Sequence, residues 1–101
     1  MDLTITTTES GKTLAKVTGR LDTTNSDEFE KKMAPLLQGG NPDIEIDCSE
    51  LAYISSSGLR LFLTLQKSVN ARGGKLVIMN MNSQIKEIFN MTGFSRIMTI
   101  I

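Results

Sequence analysis

The chain has 101 residues, 40% of them apolar, which fits one domain with a packed core, and we place that domain at residues 1–101. Eleven basic residues balance eleven acidic ones and are dispersed along the chain, which argues against direct nucleic-acid binding, because such binding needs a basic face. The chain has no histidine, so Ser-His-Asp and Cys-His catalytic arrangements and the usual zinc sites are excluded.

The N-terminal residues predict a β-hairpin. Leu3–Thr6 alternate between apolar and polar side chains and predict a first strand. Gly11-Lys12 has the composition of a turn, so Thr13–Thr18 are expected to return as the second strand. Residues 19–24 are rich in helix-capping residue types and predict a loop.

A helix is predicted to follow this loop. Asn25 and Glu28 have the spacing of a capping box, in which two side chains satisfy free N–H groups at a helix start. Pro35 lacks the N–H that a helix interior requires and is expected to kink or loosen the last turn. Residues 39–42 (Gly-Gly-Asn-Pro) then end the element. The apolar stripe of this helix consists of Phe29, Met33, Leu36 and Leu37.

The next strand carries the single cysteine of the chain. Asp43–Asp47 alternate charged residues with Ile44 and Ile46, which is typical of a strand packed on one face. Cys48 continues the apolar phase of this strand, so we predict a buried core thiol rather than a reactive one.

The second half of the chain predicts two further helices and two strands. Three serines at 55–57 open a helix rich in leucine that stops at residues 71–74, and Lys75–Met79 are expected to form a strand covered on both faces. Ser83 is expected to cap a short helix, Gly93 to follow its end, and Ile97–Ile101 to form the last strand. The order β-β-α-β-α-β-α-β predicts an α/β fold: a single mixed, mostly parallel β-sheet with helices packed against it.

Four segments, in this order and spacing, resemble the STAS family, and in particular its anti-sigma factor antagonists. The central segment, 47–59, runs from a strand into Ser55-Ser56-Ser57-Gly58-Leu59 and is similar to the family signature Asp-Ser-Ser/Thr-Gly-Leu at a helix start. The other three segments are Gly19–Asp22, Gly73–Leu76 and Ile88–Phe94. The resemblance covers nearly the whole chain.

The resemblance implies a function and a site. Antagonists of this family bind an anti-sigma factor that is also a serine kinase, which frees a sigma factor. Phosphorylation of the serine that follows the Asp ends the binding, and a phosphatase removes the phosphate and so restores the binding. The matching acceptor here is Ser56, and the implied partner-binding residues are Asp22, Thr23, Ser55, Ser56, Ser57, Gly58 and Arg60.

Two positions depart from the family pattern: Ser55 replaces its Asp, and Arg60 replaces a small residue. Ser55 favours an alternative, a constitutive STAS interaction module, such as a scaffold in a signalling complex or a transporter accessory subunit, whose serine is never modified. A third hypothesis is a serine hydrolase that uses Ser56 as its nucleophile. The absence of histidine and of a Gly-x-Ser-x-Gly elbow argues against it.

We therefore expect no enzyme, no catalytic or metal-binding residues and no cofactor. The chain start shows no signal peptide and the apolar runs are too short to span a bilayer, so we expect a cytoplasmic protein without membrane insertion.

Overall fold

In a computed structural model, which describes residues 1–101, the chain forms five strands, three α-helices and two short 3-10 helices. The strands are β1 (Asp2–Thr7), β2 (Thr13–Leu21), β3 (Asp43–Ile54), β4 (Lys75–Met79) and β5 (Thr99–Ile100). The α-helices are α1 (Ser26–Lys32), α2 (Ser56–Ala71) and α3 (Ser83–Met91), and the 3-10 helices are Ala34–Leu37 and Phe94–Arg96.

The strands form one sheet in the order β1-β2-β3-β4-β5. β1 pairs with β2 antiparallel, and every other neighbouring pair is parallel. A helical crossover joins the two strands of each parallel pair. Each crossover moves the chain by one strand in the same direction across the sheet. Because such connections are right-handed, all the helices lie on one face. The predicted fold class is confirmed.

The sheet has a covered face and an open face. The covered face packs against the helices, and one row of paired residues across it is Ile5, Ala15, Ile46, Ile78 and Ile100. The residues that alternate with these form the open face, which no helix covers and which is largely exposed. Two ion pairs cross it, from the Lys12 ammonium to Glu45 at 2.8 Å and from the Lys16 ammonium to Glu50 at 2.7 Å.

Aromatic rings join the helices above the covered face. The Phe29 ring of α1 stacks on the Phe62 ring of α2 with their centroids 6.0 Å apart. Phe62 in turn meets Phe89 of α3 edge-to-face at 5.9 Å, and Phe89 meets Phe94 at 6.2 Å. Edge-to-face and offset contacts at these separations are the favourable geometries for aromatic pairs, so this row fixes the helices relative to one another.

Cys48 lies in the core, as predicted. It is 0% exposed on β3, and burial raises the pKa of its thiol to about 12. A thiol that stays protonated at neutral pH is neither a nucleophile nor a metal ligand.

The predicted capping box at the start of α1 is wrong. Asn25 occupies the N-cap position, but its side chain does not accept a hydrogen bond from the helix. Its side-chain oxygen instead accepts from the Asp22 N–H at 2.9 Å, and its amide donates to the Arg20 carbonyl at 2.7 Å. The loop before the helix therefore uses both ends of the Asn25 side chain. Pro35 has the predicted effect, because α1 ends at Lys32 and the chain continues as a 3-10 helix.

Three other predicted boundaries also differ from the structure. Asn82, not Ser83, caps α3: its side-chain oxygen accepts from the Ile85 N–H at 2.9 Å. The last strand contains only Thr99 and Ile100, because a 3-10 helix occupies the residues before it. β2 continues to Leu21 instead of ending at Thr18, so the predicted loop at 19–24 begins later.

No helix in the structure combines the length and the apolar character needed to cross a membrane.

Candidate partner-binding site

The three serines at the start of α2 have different surroundings. Ser55 is the N-cap, is 9% exposed, and its hydroxyl oxygen accepts from the Gly58 N–H at 3.3 Å. The hydroxyl groups of Ser55 and Ser57 are 2.8 Å apart and hydrogen-bonded. Ser56 is exposed, and its hydroxyl makes no hydrogen bond within the chain. Of the three, only Ser56 combines an exposed side chain with an unused hydroxyl.

Gly58 is buried in the first turn of α2. A Cβ atom at this position would lie 2.9 Å from Ile54 Cγ1 and 2.9 Å from Leu21 Cγ, which is closer than side-chain atoms approach. Glycine is therefore required because the first turn of α2 lies directly on the ends of β2 and β3. Gly58 thereby holds the start of α2, and with it the serines, in place.

Asp22 organises the loop that lies beside these serines. One carboxylate oxygen accepts from both the hydroxyl and the N–H of Thr24, and the Thr24 hydroxyl contributes most to lowering the pKa of Asp22. The Ser55 N–H donates to the Leu21 carbonyl at 2.8 Å, which ties this loop to the start of α2. The structure thus brings half-buried Asp22 and exposed Thr23 to the same end of the sheet as the serines.

Arg60 lies on the exposed side of the first turns of α2. It forms no salt bridge within the chain and lines a cleft of about 170 Å³ between α1 and α2. Asp27 and Glu30 of α1 line the same cleft, so it carries charges of both signs. Arg60 follows Ser56 by four residues, which places the two side chains as neighbours on the helix surface.

Two residues that the sequence analysis did not single out lie at the same edge. The Arg20 guanidinium lies over the Tyr53 ring, 4.4 Å from its centroid. The residues are partners across β2 and β3, and both side chains point away from the helices, because the next residues, Leu21 and Ile54, are buried. Sequence gave no signal for this contact, because it depends on a shifted register between the two strands.

The model of the STAS domain family matches residues 4–101. An anti-sigma-B factor antagonist from Staphylococcus aureus is 33% identical, with 99% of this chain and 94% of the relative covered.

Solved structures resemble the fold. An anti-sigma-factor antagonist (STAS) domain protein from Planctomyces limnophilus matches with a TM-score of 0.88 at 17% identity, covering 99% of this chain and 89% of that one. The Bacillus cell fate determinant SpoIIAA in its phosphorylated form matches with a TM-score of 0.73 at 16% identity, covering 99% and 91%. The match to the family model over nearly the whole length, together with the sheet and helix order, shows that this chain belongs to the STAS domain family.

Proposed function

We propose that this protein is an anti-sigma factor antagonist of the cytoplasm. It binds an anti-sigma factor that is also a serine kinase, and so releases a sigma factor. Phosphorylation of Ser56 ends the binding, and a phosphatase restores it. The similarity to the Staphylococcus aureus antagonist over 99% of this chain supports this role, and the protein acts by binding rather than as an enzyme.

The observation that carries the proposal is the state of Ser56. A kinase must reach the acceptor hydroxyl, and this hydroxyl is exposed and free of hydrogen bonds. Ser55 and Ser57 bond to each other, and Ser55 also caps the helix, so modifying either would break contacts within the fold. Modification of Ser56 leaves those contacts intact.

The start of α2 can accept the added charge. The first N–H groups of a helix have no intrahelical partner and carry partial positive charge, so they stabilise a phosphate. The first turn of α2 itself contains no acidic residue, and the nearby carboxylates, Asp22, Asp27 and Glu30, belong to the preceding loop and to α1. An exposed pair between the phosphate and Arg60 would add about 0.2–0.5 kcal/mol, enough to orient the group but too little to rearrange the fold.

The switch is therefore a change of surface and not of fold. Phosphorylation adds a charge of about −1.5 to −2 at neutral pH. In a contact surface that charge must lose water, and an unpaired or like charge there costs several kcal/mol. The contacting residues are Asp22, Thr23, Ser56, Ser57 and Arg60. The buried Ser55 and Gly58 act by positioning them.

Ser55 favours a second candidate function, a constitutive interaction module that uses the same surface. Where the family pattern has an acidic residue before the acceptor, this chain has a hydroxyl that is already hydrogen-bonded to Ser57. In this case the partner binds permanently and Ser56 carries no phosphate in the cell.

Binding measurements with charge variants test the proposal. The purified anti-sigma factors of the source organism are titrated one by one into the wild-type chain by calorimetry. Ser56→Ala should bind as wild type does, since it keeps a neutral surface, and Ser56→Asp should bind at least about tenfold more weakly.

Asn70→Asp is the matched control, because it adds the same charge to an exposed position of the same helix, about 21 Å further along its axis, and keeps the side-chain oxygen that accepts from the Gln66 amide. Equal weakening by both aspartates would point to net charge instead of a local effect. If no anti-sigma factor binds the wild-type chain, the proposed function is wrong.

A further inference from the structure

The Arg20–Tyr53 pair forms an exposed patch at the end of β2 and β3, on the open face of the sheet. Tyr53 is 38% exposed, and Arg20 is exposed as well. The Arg20 guanidinium carbon lies over the Tyr53 ring, 4.4 Å from the ring centroid. A cation over an aromatic ring is attracted by the negative charge of the ring face.

Neither polar end of this patch forms a hydrogen bond inside the chain, although, besides the Thr24 hydroxyl, the Arg20 charge helps to lower the pKa of Asp22. The Arg20 guanidinium donates no hydrogen bond and forms no salt bridge within the chain. Only the Arg20 backbone carbonyl is used, as the acceptor for the Asn25 side-chain amide. A guanidinium has five donors in a fixed plane and binds carboxylates in two-point geometry. Because the ring favours this position of the guanidinium, a partner that engages it there loses less side-chain entropy.

The patch lies close to the proposed contact surface along the chain. Tyr53 precedes Ser56 by three residues, so their Cα atoms are no more than about 11 Å apart. Arg20 precedes Asp22 by two residues. The carbonyl of Leu21, which lies between them, accepts a hydrogen bond from the Ser55 N–H, so this segment is joined to the start of α2. A partner seated on Asp22 and Ser56 is thus within reach of the stacked pair.

The size of a protein interface requires such an extension. A stable interface involves about 20–30 residues on each side, far more than the five exposed or half-buried residues of the proposed surface. Tyr and Arg are enriched among residues that dominate binding energy. In the other direction, beyond Arg60, the cleft is lined mainly by polar and acidic residues and contains no aromatic anchor.

We propose that the anti-sigma factor covers the Arg20–Tyr53 patch, placing an apolar group against the Tyr53 ring and a carboxylate against the Arg20 guanidinium. This inference rests on the proposed function. It adds the Arg20–Tyr53 patch to the interface as an anchor. The charge of this patch is the same before and after phosphorylation of the neighbouring Ser56.

Alanine substitution of each member tests the inference, with the anti-sigma factor that binds the wild-type chain as the probe. Tyr53→Ala and Arg20→Ala should each weaken binding about tenfold or more. Leu14→Ala is the matched control. Leu14 is 36% exposed on the same face, six residues before Arg20 on β2 and therefore about 20 Å away. It should change the affinity by less than about twofold.

The outcomes separate this inference from the proposed function. Thermal unfolding of each variant establishes that it is folded, and Arg20→Ala remains informative if Tyr53→Ala does not fold. If the wild-type chain binds and both patch variants bind equally well, the patch lies outside the interface and only this inference is wrong. If the wild-type chain binds no anti-sigma factor, the proposed function is wrong and the inference falls with it.

Discussion

Replacing Gly58 by alanine should destabilise the protein, although alanine normally stabilises helices. The added Cβ would lie 2.9 Å from Ile54 Cγ1 and 2.9 Å from Leu21 Cγ. Both neighbours are core side chains, 2% and 0% exposed, and the contacting atoms are not flexible chain ends. Either the start of α2 moves outward or the two side chains leave their preferred rotamers.

The size of the effect follows from two opposing contributions. An extra methyl group in a packed core costs about 1–3 kcal/mol, and the higher helix propensity of alanine returns up to about 1 kcal/mol. Together these contributions span about 0–3 kcal/mol, and we expect the free energy of unfolding to fall by about 1–2 kcal/mol, the middle of that range. For a domain of this size the melting temperature then falls by roughly 4–16 °C.

Thermal unfolding followed by circular dichroism measures this change. Gly40→Ala is the control, because a Cβ at Gly40 meets no atom within 4 Å. It should leave the free energy of unfolding within about 0.5 kcal/mol of wild type. A Gly58→Ala variant that melts at or above the wild-type temperature would refute the argument that the helix start rests directly on the sheet.

Three other predictions follow from the structure. Ser55→Ala removes the cap of α2 and should lower the free energy of unfolding by about 0.5–1 kcal/mol, the low end for caps, because the bond to the Gly58 N–H is long at 3.3 Å. Urea unfolding measures it, and an unchanged midpoint contradicts it. Asp47 accepts a hydrogen bond from the Ser49 N–H, which lowers the pKa of Asp47 in the folded state. The contribution of Asp47 to the free energy of unfolding is therefore present above its ordinary pKa of 3.8 and is lost as the pH falls through the lower folded-state pKa. Urea unfolding from pH 6 to 2.5 should show a shallower decline for Asp47→Asn than for wild type, and equal slopes contradict this. Cys48 should react with a thiol reagent only after unfolding, because its pKa is about 12 and it is fully buried. Rapid labelling of the native protein would overturn that placement.

The fold class could be predicted because its signals are local and repeated. Alternating residues in the strands, an apolar run in β4 and glycine-rich stops each specify one element, and helical crossovers then impose a parallel sheet. The extent of β3 could not be predicted in the same way. Its buried residues after Ile46 are Cys48, Leu51 and Ile54, because register shifts against β2 replace the two-residue spacing by three.

The candidate site was predictable only in part. The serines at 55–57 and Asp22 stand out as helix-start and loop residues, but sequence does not say which hydroxyl is free. That follows from the bond between Ser55 and Ser57. Gly58 could be recognised as unusual within a helix, yet the atoms that require it, on Leu21 and Ile54, come together only in the folded sheet.

The most direct test of the central claim is peptide mass spectrometry across residues 50–60 of the protein isolated from its native cell under several growth conditions. The account predicts phosphate on Ser56 in at least one condition and none on Ser55 or Ser57, since only the Ser56 hydroxyl is exposed and unbonded. Complete absence of phosphate from Ser56, with the kinase partner present and active, would contradict the switch and leave the constitutive interaction module.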